Sequence, residues 1–319
     1  MAFSFFKFDW KKSPAHLYLL TQFISANSKK DFVKSDSWKR ILKEDPQKAI
    51  NRFLTEEMVE QADLRGILDY KYNVSELKEQ LKKLGLKQSG KKADLIERLI
   101  SADENRFKQL QQQIYLLKCT EHGKNIVTQH KENENQKRQD FEARTFRALQ
   151  QSNLVEASQL VAEYNNQKIN LYNIPDDEKN NDFKRNLVLL KIMFNSKPKI
   201  LKNITDDQLG ILQLAAGMMF LWKYNNALKW LPEDFNLDIT MDKNAAAHMI
   251  YSYALNKEAM ALHKKNKMKS IKISCCSNSC DECKKIANKK YTLNQVPEIP
   301  YEHCTSEQGC LCTTMGYFS

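Results

Sequence analysis

Residues 206–231 constrain the fold more than any other stretch of this chain. Leu209, Ile211, Leu212, Leu214, Met218, Met219, Phe220, Trp222, Leu228 and Trp230 crowd together so closely that a helix built from them keeps almost no polar face. Such a helix must be enclosed by other elements, which predicts the buried centre of a helical domain. Gly (8) and Pro (7) are scarce in 319 residues. That disfavours a turn-rich β architecture and favours long helices. An apolar content of 42% is enough for folded cores, and this length sets an expectation of roughly two or three domains.

Helical spacing recurs on both sides of this segment. Phe141, Phe146, Leu149, Leu154, Ala157, Leu160, Val161 and Tyr164 follow at three- and four-residue intervals, with Ser152 and Asn153 dividing a helical hairpin. Residues 187–194 read as a short apolar helix and 244–268 as a helix that turns lysine-rich. Residues 175–181 read as a loop, and the polar run at 130–138 as a solvated helix face or a linker. Residues 105–131 are helical, broken near Thr120, Glu121, His122 and Gly123. Near the N-terminus, Trp38, Ile41, Leu42, Ile50, Phe53 and Leu54 are candidates for a core, and Thr55, Glu56 and Glu57 predict a helix start. There is no internal repeat. The expected organisation is mainly α: an N-terminal helical segment (1–54), a helix-turn-helix hairpin module (55–104), an all-helical central domain (105–268) and a small cysteine-rich tail (269–319).

Residues 73–100 read NVSELKEQLKKLGLKQSGKKADLIERLI. Leu77, Leu81 and Leu84 mark one helix, Gly85 and Leu86 end it, and Ser89, Gly90, Lys91 and Lys92 form a polar, basic turn. Ala93, Leu95, Ile96, Leu99 and Ile100 mark the apolar side of a second helix. The leucine frame with its Leu-Gly-Leu and Ser-Gly-Lys-Lys core closely resembles the SAP motif, a small DNA-binding module of two helices. The resemblance implies binding to duplex DNA, often A·T-rich, through helix ends and the turn. Between residues 71 and 100 there are eight basic and four acidic side chains. A helix N-terminus suits a phosphate, and lysines add point charges. Lys78, Lys82, Lys87, Ser89, Gly90, Lys91 and Lys92 are therefore the candidate DNA-binding residues. Phosphate contacts orient without reading sequence, so a weak sequence preference and salt-sensitive affinity are expected.

A net charge of +11 and a pI near 9.1 agree with an acidic partner. A second basic stretch, residues 263–291, carries nine lysines against Asp281 and Glu282. No segment approaches the ~18 consecutive apolar residues of a membrane span, and the N-terminus lacks a signal peptide's apolar core. The expectation is an intracellular protein, of cytoplasm or nucleoid, or of the nucleus in a eukaryote, with no membrane partner.

Disulfides are rare in such compartments, yet seven of the eight cysteines lie in the last 45 residues. Cys280 and Cys283 are spaced for one tight turn, and Cys304, Cys310 and Cys312 follow. Separated pairs of soft ligands are the plan of a closed structural Zn2+ site, and a short tail gains folding energy from one. Five cysteines and His303 compete for four places: Cys280, Cys283, Cys304 and Cys312 are preferred, with Cys310 the substitute. Cys275 and Cys276 are spares or part of a second site. A redox or disulfide cluster and an iron–sulfur cluster remain as alternatives. The tail is loosely similar to the cysteine-rich ends of phage head-morphogenesis proteins over about 35 residues. Leu311 stands where those ends have Arg, so no role is carried over.

No phosphate loop, nucleophile elbow or His-Glu-x-x-His motif is present, and no catalytic residue is assigned. The alternatives to a DNA-binding protein are a zinc-knuckle nuclease drafting His303, Glu302 and Glu298, and an adaptor that docks a protein partner through residues 105–268.

Overall fold

The computed structural model describes residues 8–168, 176–237 and 239–318, with backbone alone for 176–181. The chain is mainly α, as its scarcity of Gly and Pro leads one to expect. It divides into two compact units, with the boundary inside one long helix between Lys137 and Arg138.

In the first unit, α1 (Pro14–Thr21), α2 (Lys30–Val33), α3 (Asp36–Leu42) and α4 (Pro46–Thr55) enclose Leu19, Leu20, Phe23, Phe32, Trp38, Ile50 and Phe53. Pro46 opens α4, and Asp45 caps it by accepting from the Gln47 amide at 2.9 Å. Ile41 and Leu54 are only half-buried. The helix start expected at Thr55 is corrected: α4 ends there, Glu57 takes φ 55°, and the chain enters β1 (Val59–Gln61). The reason is non-local. Met58 and Val59 are buried, and β1 pairs antiparallel with β2 (Leu117–Cys119), Val59 opposite Cys119. No nearby sequence announces that partner.

Four further helices form a separate small core in this unit: α5 (Leu64–Lys71), α6 (Val74–Lys83), α7 (Lys92–Ala102) and α8 (Glu104–Gln113). The long helix α9 (Glu121–Gln150) follows, and the polar run at 130–138 lies within it. A β-carbon at Gly123 would sit 2.0 Å from the Met58 carbonyl oxygen, so only glycine lets the start of α9 lie this close to the chain entering β1.

In the second unit, a left-handed turn at Ser152 (φ 57°) leads into α10 (Leu154–Asn166), capped by Asn153. Then come α11 (Asp176–Phe194), α12 (Asp206–Trp222) and α13 (Lys243–Lys265). The loop expected at 175–181 is corrected from Asp176 onward, which is helix; Pro175 lies outside the described residues. Residues 206–231 become α12 and a short 3-10 turn. A reciprocal cap between Thr205 and Gln208 opens α12. Leu209, Leu212, Ala215, Ala216, Met218, Met219, Leu221 and Trp222 are all buried, with α10, α11 and α13 packed around them.

The tail forms β3 (Ser270–Ser274), α14 (Asp281–Ile286), β4 (Lys290–Tyr291) and β5 (Thr313–Tyr317), in an antiparallel sheet of order β4-β3-β5. The sheet was not anticipated, although Ser-Ile-Lys-Ile-Ser alternates with period two and both isoleucines are fully buried. Asn256 of α13 ties β5 down: its Oδ1 accepts from the Thr314 amide at 3.3 Å and from the Thr314 hydroxyl at 3.4 Å.

A buried carboxylate holds the second unit's helices. Glu142 accepts from Arg138 Nε at 2.8 Å, Tyr224 Oη at 2.6 Å and Lys229 Nζ at 2.6 Å. Burial alone would push its pKa up; the bonds from Lys229, Tyr224 and Arg138 outweigh that and hold it below the usual carboxylate range. A depressed folded-state pKa stabilises above the unfolded pKa, and the gain is lost as pH falls through the folded value. Glu142→Gln is expected to lower the unfolding free energy by about 2 kcal/mol at pH 7, below the full cost of stranding a buried charge because both cations keep water. Urea titrations should show this difference beginning to shrink below about pH 4.3, where the unfolded carboxylate protonates, and vanishing only below the depressed native value, where the carboxylate is protonated in both states.

Candidate nucleic-acid interface and metal centre

The hairpin of α6 and α7 is set by local signals. Asn73 Oδ1 accepts from the Glu76 amide at 3.0 Å, and Glu76 Oε2 accepts from the Asn73 amide at 2.7 Å, a reciprocal cap. At the other end Gly85 takes φ 68°. The Leu86 amide returns to the Leu81 carbonyl at 2.9 Å and the Gly85 amide to Lys82 at 3.0 Å. That double return needs a residue in the left-handed region, where glycine carries no penalty. Leu77, Leu81, Leu95, Ile96 and Leu99 are buried with Leu64, Leu68 and Phe107. Ala93, expected on the apolar side, is exposed instead, because α7 begins at Lys92 and turns that position outward.

The candidate contact residues line one segment. Lys78, Lys82, Lys87, Ser89, Gly90 and Lys91 are exposed, and Lys92 is half-buried. Two lysines of the hairpin are paired: Lys83 with Glu79 at 2.9 Å and Lys92 with Asp69 at 2.9 Å. Among the described residues no ion pair holds Lys78, Lys82, Lys87 or Lys91. The Lys91 amide donates to Asp94 Oδ2 at 2.9 Å, so Asp94 occupies the first turn of α7. Sequence reasoning counted Arg98 only as charge. Its guanidinium donates to the carbonyls of Lys87 and of Ser89, the latter at 3.2 Å, fixing the connection between the helices from within.

The tail gathers its sulfurs. Cys280, Cys283 and Cys304 form one group and Cys283, Cys310 and Cys312 another, each with all sulfurs within 4.8 Å. Cys280 and Cys304 stand 3.7 Å apart, Cys283 and Cys310 3.8 Å, and Cys275 and Cys312 2.6 Å. The strand register explains the last pair: Ser274 opposes Thr313, so the next residues outward are Cys275 and Cys312. Cys283, Cys310 and Cys312 are buried, Cys276 is exposed, and Cys119 lies in the first unit, where burial pushes its thiol up to about 11.

Backbone amides point at these sulfurs. The Thr305 amide donates to Cys280 Sγ at 3.5 Å and the Tyr301 amide to Cys310 Sγ at 3.3 Å. Burial would raise the Cys280 thiol, but the amides of Cys283 and Thr305 outweigh it and pull it down to about 6. Donors aimed at sulfur favour the thiolate, the form that binds metal. Cys280 and Cys283, with Cys304 and a buried, unpartnered Ser279 hydroxyl, also line a small cavity. Sulfurs about 2.3 Å from one tetrahedral ion stand about 3.8 Å apart, the separation seen in two of the three pairs. The cysteine groups can hold a metal ion.

The nuclease candidates do not converge in this way. His303 is exposed, stacked edge-on to Tyr301, and belongs to neither thiol group. Glu298 pairs with Lys257, and Glu302 with Lys202, each at 3.8 Å.

The SAP domain family model matches residues 71–104, from the end of α5 to the start of α8. SAP domains in general bind DNA. No curated protein and no solved structure matches the chain. Among the described residues no helix is long and apolar enough to cross a membrane.

Arg98→Ala is expected to speed amide hydrogen exchange at residues 87–90 while leaving the interiors of α6 and α7 protected. Equal loosening of both helices would show that Arg98 holds the whole hairpin.

Proposed function

We propose that this chain is a DNA-binding protein that holds duplex DNA through phosphates at the α6–α7 hairpin, with a structural Zn2+ centre in its tail. The observation that carries the reading is the set of exposed lysines, Lys78, Lys82, Lys87 and Lys91, without an ion pair among the described residues, on the segment similar to SAP domains. The ammonium groups meet phosphate oxygens, and Ser89 and Gly90 let the strand approach. Lys92 adds charge while its pairing with Asp69 keeps α7 in place. Such contacts position without reading bases, so sequence preference is weak. Cys280, Cys283, Cys304, Cys310 and Cys312 supply the thiolates for Zn2+, which closes the tail as a structural ion. The protein acts inside the cell.

The test is a titration of labelled duplex with the full chain at several salt concentrations in Mg2+, with the DNA run out afterwards. Affinity should fall steeply with salt and the DNA should stay intact. Lys87→Ala combined with Lys91→Ala should lower the slope of log K against log salt by about 2, since each lost phosphate contact removes roughly 0.9. Duplexes of unrelated sequence should weaken alike. Cleaved DNA would instead support the nuclease alternative, and no binding at low salt the adaptor.

A further inference from the structure

Six cysteines, not four, meet in the tail, and they meet as three stacked pairs. Cys280 with Cys304 forms one outer pair, Cys275 with Cys312 the other, and Cys283 with Cys310 lies between. The middle pair joins the two sides. Cys283 belongs to both three-sulfur groups. Cys310 stands 3.8 Å from Cys283 and shares the second group with Cys312. A single tetrahedral ion takes four sulfurs and would leave one outer pair as thiols beside a thiolate site. Two ions sharing the middle pair use all six.

We propose that the tail holds a binuclear Zn2+ cluster in which Cys283 and Cys310 bridge the two ions, Cys280 and Cys304 complete one, and Cys275 and Cys312 complete the other. This rests on the metal reading above and extends its ligand set to Cys275. Each ion then has four sulfurs, and six thiolates with two Zn2+ leave a cluster charge of −2. The bridging positions fall to the two sulfurs of the middle pair, both buried, where a ligand shared by two cations needs no water. The Cys275–Cys312 pair, at 2.6 Å, is closer than the ~3.8 Å edge of a zinc tetrahedron, so metal entry opens it. Cys276 stays outside the cluster, exposed.

The experiment is elemental analysis of the full chain, loaded with Zn2+ and dialysed against a mild chelator, together with a thiol count after denaturation in EDTA. Two zinc ions and eight thiols per chain are expected. Cys275→Ser should retain one zinc and Cys276→Ser two. With Co2+ in place of Zn2+, the paramagnetic resonance signal per cobalt should fall as the second equivalent enters, because shared thiolates couple the two spins. One zinc with eight thiols would overturn the binuclear cluster and leave the single site standing. One zinc with six thiols would overturn it in favour of a Cys275–Cys312 disulfide. No zinc, or iron in its place, would overturn both readings.

Discussion

A helix with almost no polar face cannot stand in water, and the second unit is arranged around that constraint. Enclosing α12 takes neighbouring helices, and α10, α11 and α13 supply them, leaving Ile211, Leu214 and Phe220 half-buried. α13 buries Ala245, Ala246, Ala247, Met249, Ile250 and Ala254, mostly small side chains that let neighbouring elements approach. Satisfying α12 thus fixes α13, and α13 in turn presents a second apolar surface. The tail covers it: Met249 Sδ accepts from the Cys310 amide at 3.1 Å, and Asn256 anchors β5.

The tail is therefore no free-standing knuckle. Ile273, Ile286, Ile299, Cys283, Cys310 and Cys312 belong to the same continuous core as α12 and α13. This arrangement serves both partners. The helical core gives the thiols a dry surrounding that a short segment with few large apolar residues cannot build alone. The thiols, once they hold metal, give the tail a link that its short strands lack. The amides aimed at Cys280 and Cys310 fix where negative charge can sit in that surrounding.

What was legible in the sequence follows the range of the interactions. The α6–α7 hairpin depends on signals within a few residues: an Asn-x-x-Glu cap, a left-handed glycine, leucines at helical spacing. The leucine spacing and the helix-ending glycine are read from the sequence directly; the cap is equally local but is seen only in the structure. The enclosed α12 was legible because extreme hydrophobicity needs no partner's identity to be interpreted. The end of α4 was misread because acidic residues after Thr55 fit a helix start locally, whereas the antiparallel pairing of Val59 with Cys119 decides the matter from far along the chain. The sulfurs divide the same way. Cys280 and Cys283 announce themselves by spacing, but Cys275 joins Cys312 only through the register of β3 on β5, which no local pattern encodes.

One lysine of the hairpin stands where helix stability alone would not put it. Lys82 lies in the last turn of α6, where a cation is favoured by the helix dipole. Lys83 and Lys92 have carboxylate partners. Each of these stabilises the fold by ordinary means. Lys91 does not: it stands at the N-cap of α7, the positive end of the helix, with no ion pair among the described residues. Its side chain offers no capping acceptor, and Asp94 has to satisfy its amide instead. Asn or Ser would serve the helix better there. A cation at that position raises the local positive potential, which costs the isolated protein stability and favours an arriving anion. With Lys87 exposed nearby and Arg98 holding the intervening backbone, that potential is presented on a fixed surface. A phosphate is a group whose charge would offset that cost, and this supports the proposed nucleic-acid reading over a merely solvated turn.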